Sequence, residues 1–352
     1  MIISEGPERM RLGLALFQKY PPQRFVELVR LCEASGYSDL WVGSERFYRD
    51  PTVMLTLAAT NSRQLQLGTF IADPYSEHPA LIAARLATLD ELSGGRAGLL
   101  LRAGGTALKR MGIVRRLPLT ALREAVQIMR GMLCGETASI SGQVLSVEAA
   151  RLDFAARADL PIYIATRGTR MLALAGEVAD GVMISTFATT GGLTHAVEQI
   201  HLGARRAGRR PEELELIMRV DTCIHEDGVR ARAAVRAILC RGLAASYPDR
   251  SWLDALGIQL PDDLEQVFAY RNGHLAESVA DRLPEQIVDS YAWVGTPEQV
   301  ATRLAAVIAA GIKRITIVPH LLPKQSLTRM IRDFAQIVAS GALSILGAPC
   351  AT

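Results

Sequence analysis

Short apolar runs alternate with longer stretches of helical period along most of this chain. Runs at 12–17, 40–43, 65–71, 97–101, 161–165, 181–184, 214–224 and 315–318 carry few polar residues. They read as strands buried on both faces. Between them, apolar residues recur three or four positions apart. In 22–35, Phe25, Leu28, Val29 and Cys32 share one face and Gly36 stops the helix. In 119–133 the inward face carries Leu122, Val126, Met129 and Met132. Further helices are expected over 51–60, 79–92, 171–179, 193–207 and 297–310. The stretch 137–147 alternates weakly around Gly142 and reads as a small hairpin outside the main pattern.

Eight strands alternating with helices in a chain of 352 residues predict an α/β fold, a (β/α)8 TIM barrel. A doubly wound sheet is the other fold this pattern allows, but no Gly-x-Gly-x-x-Gly follows the first strand. The seventh and eighth strands are separated by a polar, helical segment, about 228–296. We read it as an insertion on a single domain, serving as a lid or a dimer contact. Residues 1–10 read as an N-terminal arm and 341–352 as a C-terminal tail.

Composition narrows the partners. The chain is 49% hydrophobic and 21% charged, with a net charge of +3. No Lys/Arg run is interleaved with aromatics, so nucleic acid is not expected as a partner. No apolar run reaches about 18 residues, so no membrane span is expected. The five cysteines have no metal-like or disulfide-like spacing, which suits a reducing cytoplasm.

In a barrel, chemistry sits on the loops that follow the strand carboxyl ends. After the second strand come Ser44, Glu45 and Arg46. After the third come Asp73, Glu77 and His78, and after the fourth comes Arg102. Thr166, Gly168 and Thr169 follow the fifth strand, and Ser185 and Thr186 the sixth. The fifth-strand loop opens a helix, whose free N–H groups attract an anion such as phosphate. Ordinary helix capping explains the same residues. Glu45 is either a surface ion-pair member or a proton donor with a pKa raised by burial. His78 reads as a local hydrogen-bonding residue at a helix start. With no Ser-His-Asp order, metal motif or P-loop, the pattern suits an enzyme whose cofactor carries the reaction.

Several motifs carry a family resemblance. They are Gly68 through Pro79, then Asp90-Glu91-Leu92-Ser93-Gly94-Gly95-Arg96, Pro161-Ile162-Tyr163-Ile164-Ala165 with Gly168, Ala179-Asp180-Gly181-Val182, and Gly295-Thr296-Pro297-Glu298. In these the chain resembles the bacterial luciferase-like superfamily. Within it, the nearest likeness is to coenzyme F420-dependent reductases typified by methylenetetrahydromethanopterin reductase. The resemblance implies a TIM barrel holding F420, or alternatively FMN, in its mouth, with hydride transfer to a small molecule. It also implies a bulged third strand with a non-proline cis peptide at about Phe70-Ile71, supporting the ring. It places Gly168, Thr169, Ser185 and Thr186 near the cofactor phosphate, and Glu45 where relatives often carry a proton donor. Arg102 departs from the usual Gly-x-Gly and suits an acidic tail or substrate. An FMN-dependent monooxygenase and a non-catalytic flavin-binding relative are the alternatives. A homo-oligomer, most simply a dimer, is expected.

Overall fold

The computed structural model describes residues 10–345 other than Arg46, Thr106, Thr186 and Phe187; for 341–345 it describes the backbone alone. Eleven strands and fourteen α-helices follow one another along the described chain. The barrel strands are β1 (Arg11–Leu16), β2 (Asp39–Gly43), β3 (Gln66–Ala72), β4 (Ala97–Leu101), β7 (Ile162–Thr166), β8 (Gly181–Ser185), β9 (Glu215–Ile224) and β11 (Arg314–Pro319). All neighbours are parallel, and β8 pairs with β9, so the sheet closes on itself. This is the expected TIM barrel. The antiparallel hairpin β5 (Ala138–Ser141) and β6 (Ser146–Ala150) stands apart from it.

The outer helices bury the faces that their periods present. Helix α1 (Pro22–Ala34) buries Phe25, Leu28, Val29 and Cys32. Beyond it lie α2 (Pro51–Asn61), α3 (Pro79–Ser93) and a short α4 (Ala107–Arg110) after β4. Then come α5 (Pro118–Leu133), α6 (Thr169–Val178) and α7 (Thr190–Arg206). His78 caps α3 by accepting from the Ala80 N–H at 3.2 Å, the local role its position suggested.

The insertion between the seventh and eighth barrel strands holds five helices: α8 (Gly228–Ser246), α9 (Ser251–Ala255), α10 (Asp262–Ala269), α11 (Gly273–Glu277) and α12 (Glu285–Tyr291). It also holds a strand that the helical reading did not foresee, β10 (Ala292–Gly295). This strand extends the sheet beyond the barrel by pairing with the far half of β9, Asp221 to Ile224. Its four residues are too few for alternation to be visible. Helix α13 (Pro297–Ala309) leads into β11, and α14 (Leu327–Ile345) closes the described chain, running past position 341. Among the described residues, no helix is long and apolar enough to cross a membrane.

Inside the barrel, Ala15, Trp41, Phe70, Leu100, Tyr163, Met183, Ile217 and Val318 form a second, central core. Gly68 makes room for it: a Cβ there would lie 2.4 Å from the Gly98 carbonyl oxygen and 2.5 Å from the Trp41 ring. Gly68→Ala is therefore expected to cost about 1–3 kcal/mol through overpacking, visible as a lowered urea midpoint at unchanged slope.

Below this core, at the amino-terminal end of the barrel, lies a buried ionic plug. Arg314 donates to Asp39 at 2.7 Å and to the Tyr163 hydroxyl at 3.1 Å, and pairs with Glu215 at 2.7 Å. Tyr163 in turn donates to Glu215 at 2.6 Å. Arg11 reaches the same two carboxylates, each at 3.0 Å. The plug and the central core separate this end from the mouth, where the remaining polar groups converge.

Candidate active site

A cavity of about 460 Å³ opens at the carboxyl ends of the strands. Among the described residues, each barrel strand but β8 gives it wall. Phe17 follows β1, Ser44 and Glu45 follow β2, and Phe70, Ile71 and Asp73 come from β3 and its loop. Arg102 follows β4, Arg167 follows β7, Arg219 points in from β9, and Pro319 and His320 end β11. Helix α8 closes over one side with Ala234, Ala237, Ile238 and Gly242. Small residues let the backbone of that helix come close, and Gly242 faces the Arg167 guanidinium.

The floor is unusual in its backbone. The Phe70–Ile71 peptide is cis, as expected, and the β3–β4 register jumps from Thr69↔Leu99 to Ala72↔Leu101. Two residues of β3 thus oppose one of β4, a bulge that re-aims the strand end into the mouth. The Phe70 ring meets Phe17 edge to face, with centroids 6.1 Å apart, and the Arg219 guanidinium lies 5.3 Å from the Phe70 centroid.

Charge is divided around the mouth. Glu45 and Asp73 lie on the β2–β3 side, and Asp73 is held by the backbone N–H groups of Tyr75 at 3.0 Å and Ser76 at 2.9 Å. Arg102, Arg167 and Arg219 form a basic arc from β4 through β7 to β9. Arg102 donates its Nε–H to the Gly104 carbonyl at 3.0 Å. Burial, and after it the positive charge of Arg167 and Arg219, pulls its pKa down to about 10 against the opposing pull of Glu45 and Asp73. Arg167 donates to the Tyr291 hydroxyl and lies over that ring, 5.4 Å from its centroid.

Next to the arc stands a three-residue relay. Arg219 pairs with Asp221 at 2.8 Å, and Asp221 lies 2.7 Å from His320 Nε2. Burial pushes the Asp221 carboxyl up, but Arg219 and His320 outweigh it and hold the group below the usual carboxylate range. With Nε2–H donated to Asp221, His320 is oriented by a carboxylate, and its Nδ1 has no partner among the described residues.

Of the residues singled out from sequence, Ser44, Glu45, Phe70, Ile71, Asp73 and Arg102 meet in this cavity. Thr166, Gly168, Thr169 and Ser185 lie outside its lining, with Thr166 and Ser185 buried. The start of α6 is covered by the insertion. The Thr169 N–H donates to Ser251 Oγ at 3.0 Å, and Ser251 donates to Asp249 at 2.7 Å. A Cβ on Gly168 would fall 2.1 Å from Asp249 Oδ2. The Ser251 hydroxyl thus takes a helix-start N–H that an anion would use, with the Asp249 carboxylate packed against Gly168 beside it. Thr186 lies outside the described residues. Sequence reasoning missed Arg219 and Asp221. Their signal was available: two charged residues two apart inside an apolar strand share its inward face.

A planar cofactor bearing negative charge fits this mouth, given the bulged floor and basic wall. The start of α6, expected from sequence to hold a phosphate, is covered by Ser251 and Asp249. Comparison with known proteins gives the same direction. The family model described as luciferase-like monooxygenase matches residues 9–314. The 5,10-methylenetetrahydromethanopterin reductase of Methanolobus tindarius is 31% identical over 87% of this chain and 93% of its own length. That of Archaeoglobus fulgidus is 31% identical over 84% and 90%. In fold, the coenzyme F420-dependent tetrahydromethanopterin reductase of Methanopyrus kandleri superposes with a TM-score of 0.79 at 24% identity, covering 94% of this chain and 99% of that one. The chain is an oxidoreductase belonging to the luciferase-like monooxygenase family.

Proposed function

We propose that this protein uses coenzyme F420 to transfer hydride between the reduced deazaflavin and a C=C, C=N or C=O bond of a small molecule. The observation that carries this reading is the mouth itself: the bulged Phe70–Ile71 floor faces a basic arc inside a roofed cavity. When bound, F420 supplies the hydride. The chain's residues orient and shield. Phe70 and Ile71 support the ring, and Arg102 faces its anionic portion. Helix α8 excludes water from the space where the carbon acceptor lies. The α6 loop, Thr166, Gly168 and Thr169 with Ser185 and Thr186, takes the phosphate once Asp249 gives way.

Hydride addition leaves negative charge on the acceptor, which a proton must quench. Two wall groups can hand it over, Glu45 and His320. His320 is the better built, because Asp221 fixes its ring and Arg219 fixes Asp221. Glu45 stands across the cavity, close enough to act on Arg102.

The test is a fluorescence titration of the purified protein with F420 and with FMN, followed by turnover on carbonyl, imine and enoate panels. Saturable F420 binding with hydride transfer is expected. FMN binding with reductant-dependent oxygen uptake overturns the reading in favour of a monooxygenase. Binding without turnover on any panel favours a non-catalytic relative. A further expectation concerns the α6 start: Asp249→Ala removes a like charge from the phosphate site and strengthens F420 binding about two- to five-fold. Binding of the phosphate-free deazaflavin core stays unchanged in the same titration.

A further inference from the structure

Arg167 and Arg219 are more than the hydride reading requires. Arg102 already opposes the cofactor's negative charge, and beyond the Asp221 pair that Arg219 gives the relay, both of the others bring positive charge to the cavity wall. Arg167 makes no ion pair among the described residues; its bond is to the neutral Tyr291 hydroxyl. Arg219 has one carboxylate partner, Asp221, which it shares with His320. Its Nε is buried without any hydrogen-bond partner. A buried guanidinium donor without a partner is costly, and an oxyanion is the group that best meets guanidinium charge on a cavity wall. Both side chains line the cavity on the arc running from β7 to β9. Arg219 lies over the Phe70 ring and reaches the wall group His320 through Asp221, so the unmet donor stands beside both the floor and the relay.

We propose that Arg167 and Arg219 bind a carboxylate on the substrate, which makes the substrate an organic acid whose reducible C=C, C=N or C=O bond lies near that carboxylate. This rests on the hydride-transfer reading for the bond reduced, but not for the anion bound. The carboxylate pairs with Arg167 and with the part of the Arg219 guanidinium that lines the cavity. The reducible bond then projects over the floor at Phe70–Ile71, within the reach of His320. Neutral substrates of the same shape leave two guanidinium groups desolvated and unpaired, so the subsite selects against them.

The test uses the full chain with benzoate and its neutral isostere benzamide as probes, by calorimetric titration. The wild type is expected to bind benzoate at least 10-fold more tightly than benzamide. Arg167→Gln and Arg219→Gln lose that preference, whereas Arg170→Gln, exposed at the α6 start, keeps it. Arg219→Lys keeps charge and guards against misfolding. It is expected to melt as the wild type does and to retain part of the preference. Equal binding of the two probes by the wild type overturns the proposal, as does an undiminished preference in Arg167→Gln and in folded Arg219 variants. The cofactor is the other possible source of an oxyanion. If the two glutamine variants weaken F420 more than 10-fold but leave the phosphate-free deazaflavin core unaffected, the pair holds cofactor phosphate and the substrate assignment falls. If neither F420 nor FMN binds while the benzoate preference depends on both arginines, the anion subsite stands and the hydride-transfer reading fails.

Discussion

His320→Gln is expected to lower kcat for reduction of the accepted substrate by about 10²–10⁴-fold, the range for loss of a positioned general acid. Cofactor affinity is expected to change little, because the imidazole stands on the β11 side of the cavity, away from the β3 floor proposed to support the ring. Glutamine keeps a hydrogen bond to Asp221 but cannot deliver a proton. Asp221→Asn is expected to give a smaller loss, since the ring remains but its orientation and tautomer are no longer fixed. A solvent deuterium isotope effect on kcat checks the assignment: it should be present in the wild type and absent in His320→Gln. Glu45→Gln supplies the contrast and should reduce kcat by no more than about 10-fold if Glu45 acts chiefly on Arg102. A full loss in Glu45→Gln beside a mild one in His320→Gln would assign the proton to the β2 loop instead.

The relay shows where the sequence is readable and where it stops. Barrel strands announce themselves, because a strand buried on both faces must be a short apolar run, and Gly36 and the Gly94–Gly95 pair mark where helices end. The floor was also legible, through the wording of the third strand and of the helix after it. His320 could be placed at the end of the eighth strand, but its pairing with Asp221 was not legible, because the two lie 99 positions apart and meet only when β9 and β11 pair in register. No local pattern encodes that meeting. The covered helix start at Gly168 has the same origin. Its glycine and threonine read as an open anion site, yet the groups that cover it, Asp249 and Ser251, arrive from the insertion some 80 residues later, Ser251 meeting Thr169 across a separation of 82 positions. Local sequence predicts what a helix start can bind; only the tertiary fold decides what reaches it first.

The same dependence on distant partners makes the ionic plug the most sensitive point for stability. Arg314 is 3% exposed and Asp39 is wholly buried, so each depends on charged partners within the plug, chiefly the other. Burial alone would lower the Arg314 pKa, but Asp39, Tyr163 and Glu215 outweigh it and raise it. Arg314→Met leaves the buried Asp39 with Arg11, at the half-exposed edge, as its cation and the Ser38 hydroxyl as a donor, and a loss of about 3–5 kcal/mol is expected. Combining it with Asp39→Leu should recover much of that loss, since removing both charges also removes the desolvation penalty. Urea unfolding of the two single variants and the double variant measures the coupling. The pH dependence has a definite sign. Burial raises the Glu215 carboxyl, but Arg314, the Tyr163 hydroxyl and Arg11 together depress it. A depressed carboxyl contributes stability that is present above its unfolded value, about 4.3, and is lost as the pH falls through the lower folded value. Arg314→Met removes the largest part of that depression. The gap between wild type and variant is therefore expected to be widest near neutrality and to narrow in acid. Benzoate binding at the mouth should survive in Arg314→Met at neutral pH, because the central core around Trp41 and Phe70 lies between the plug and the cavity.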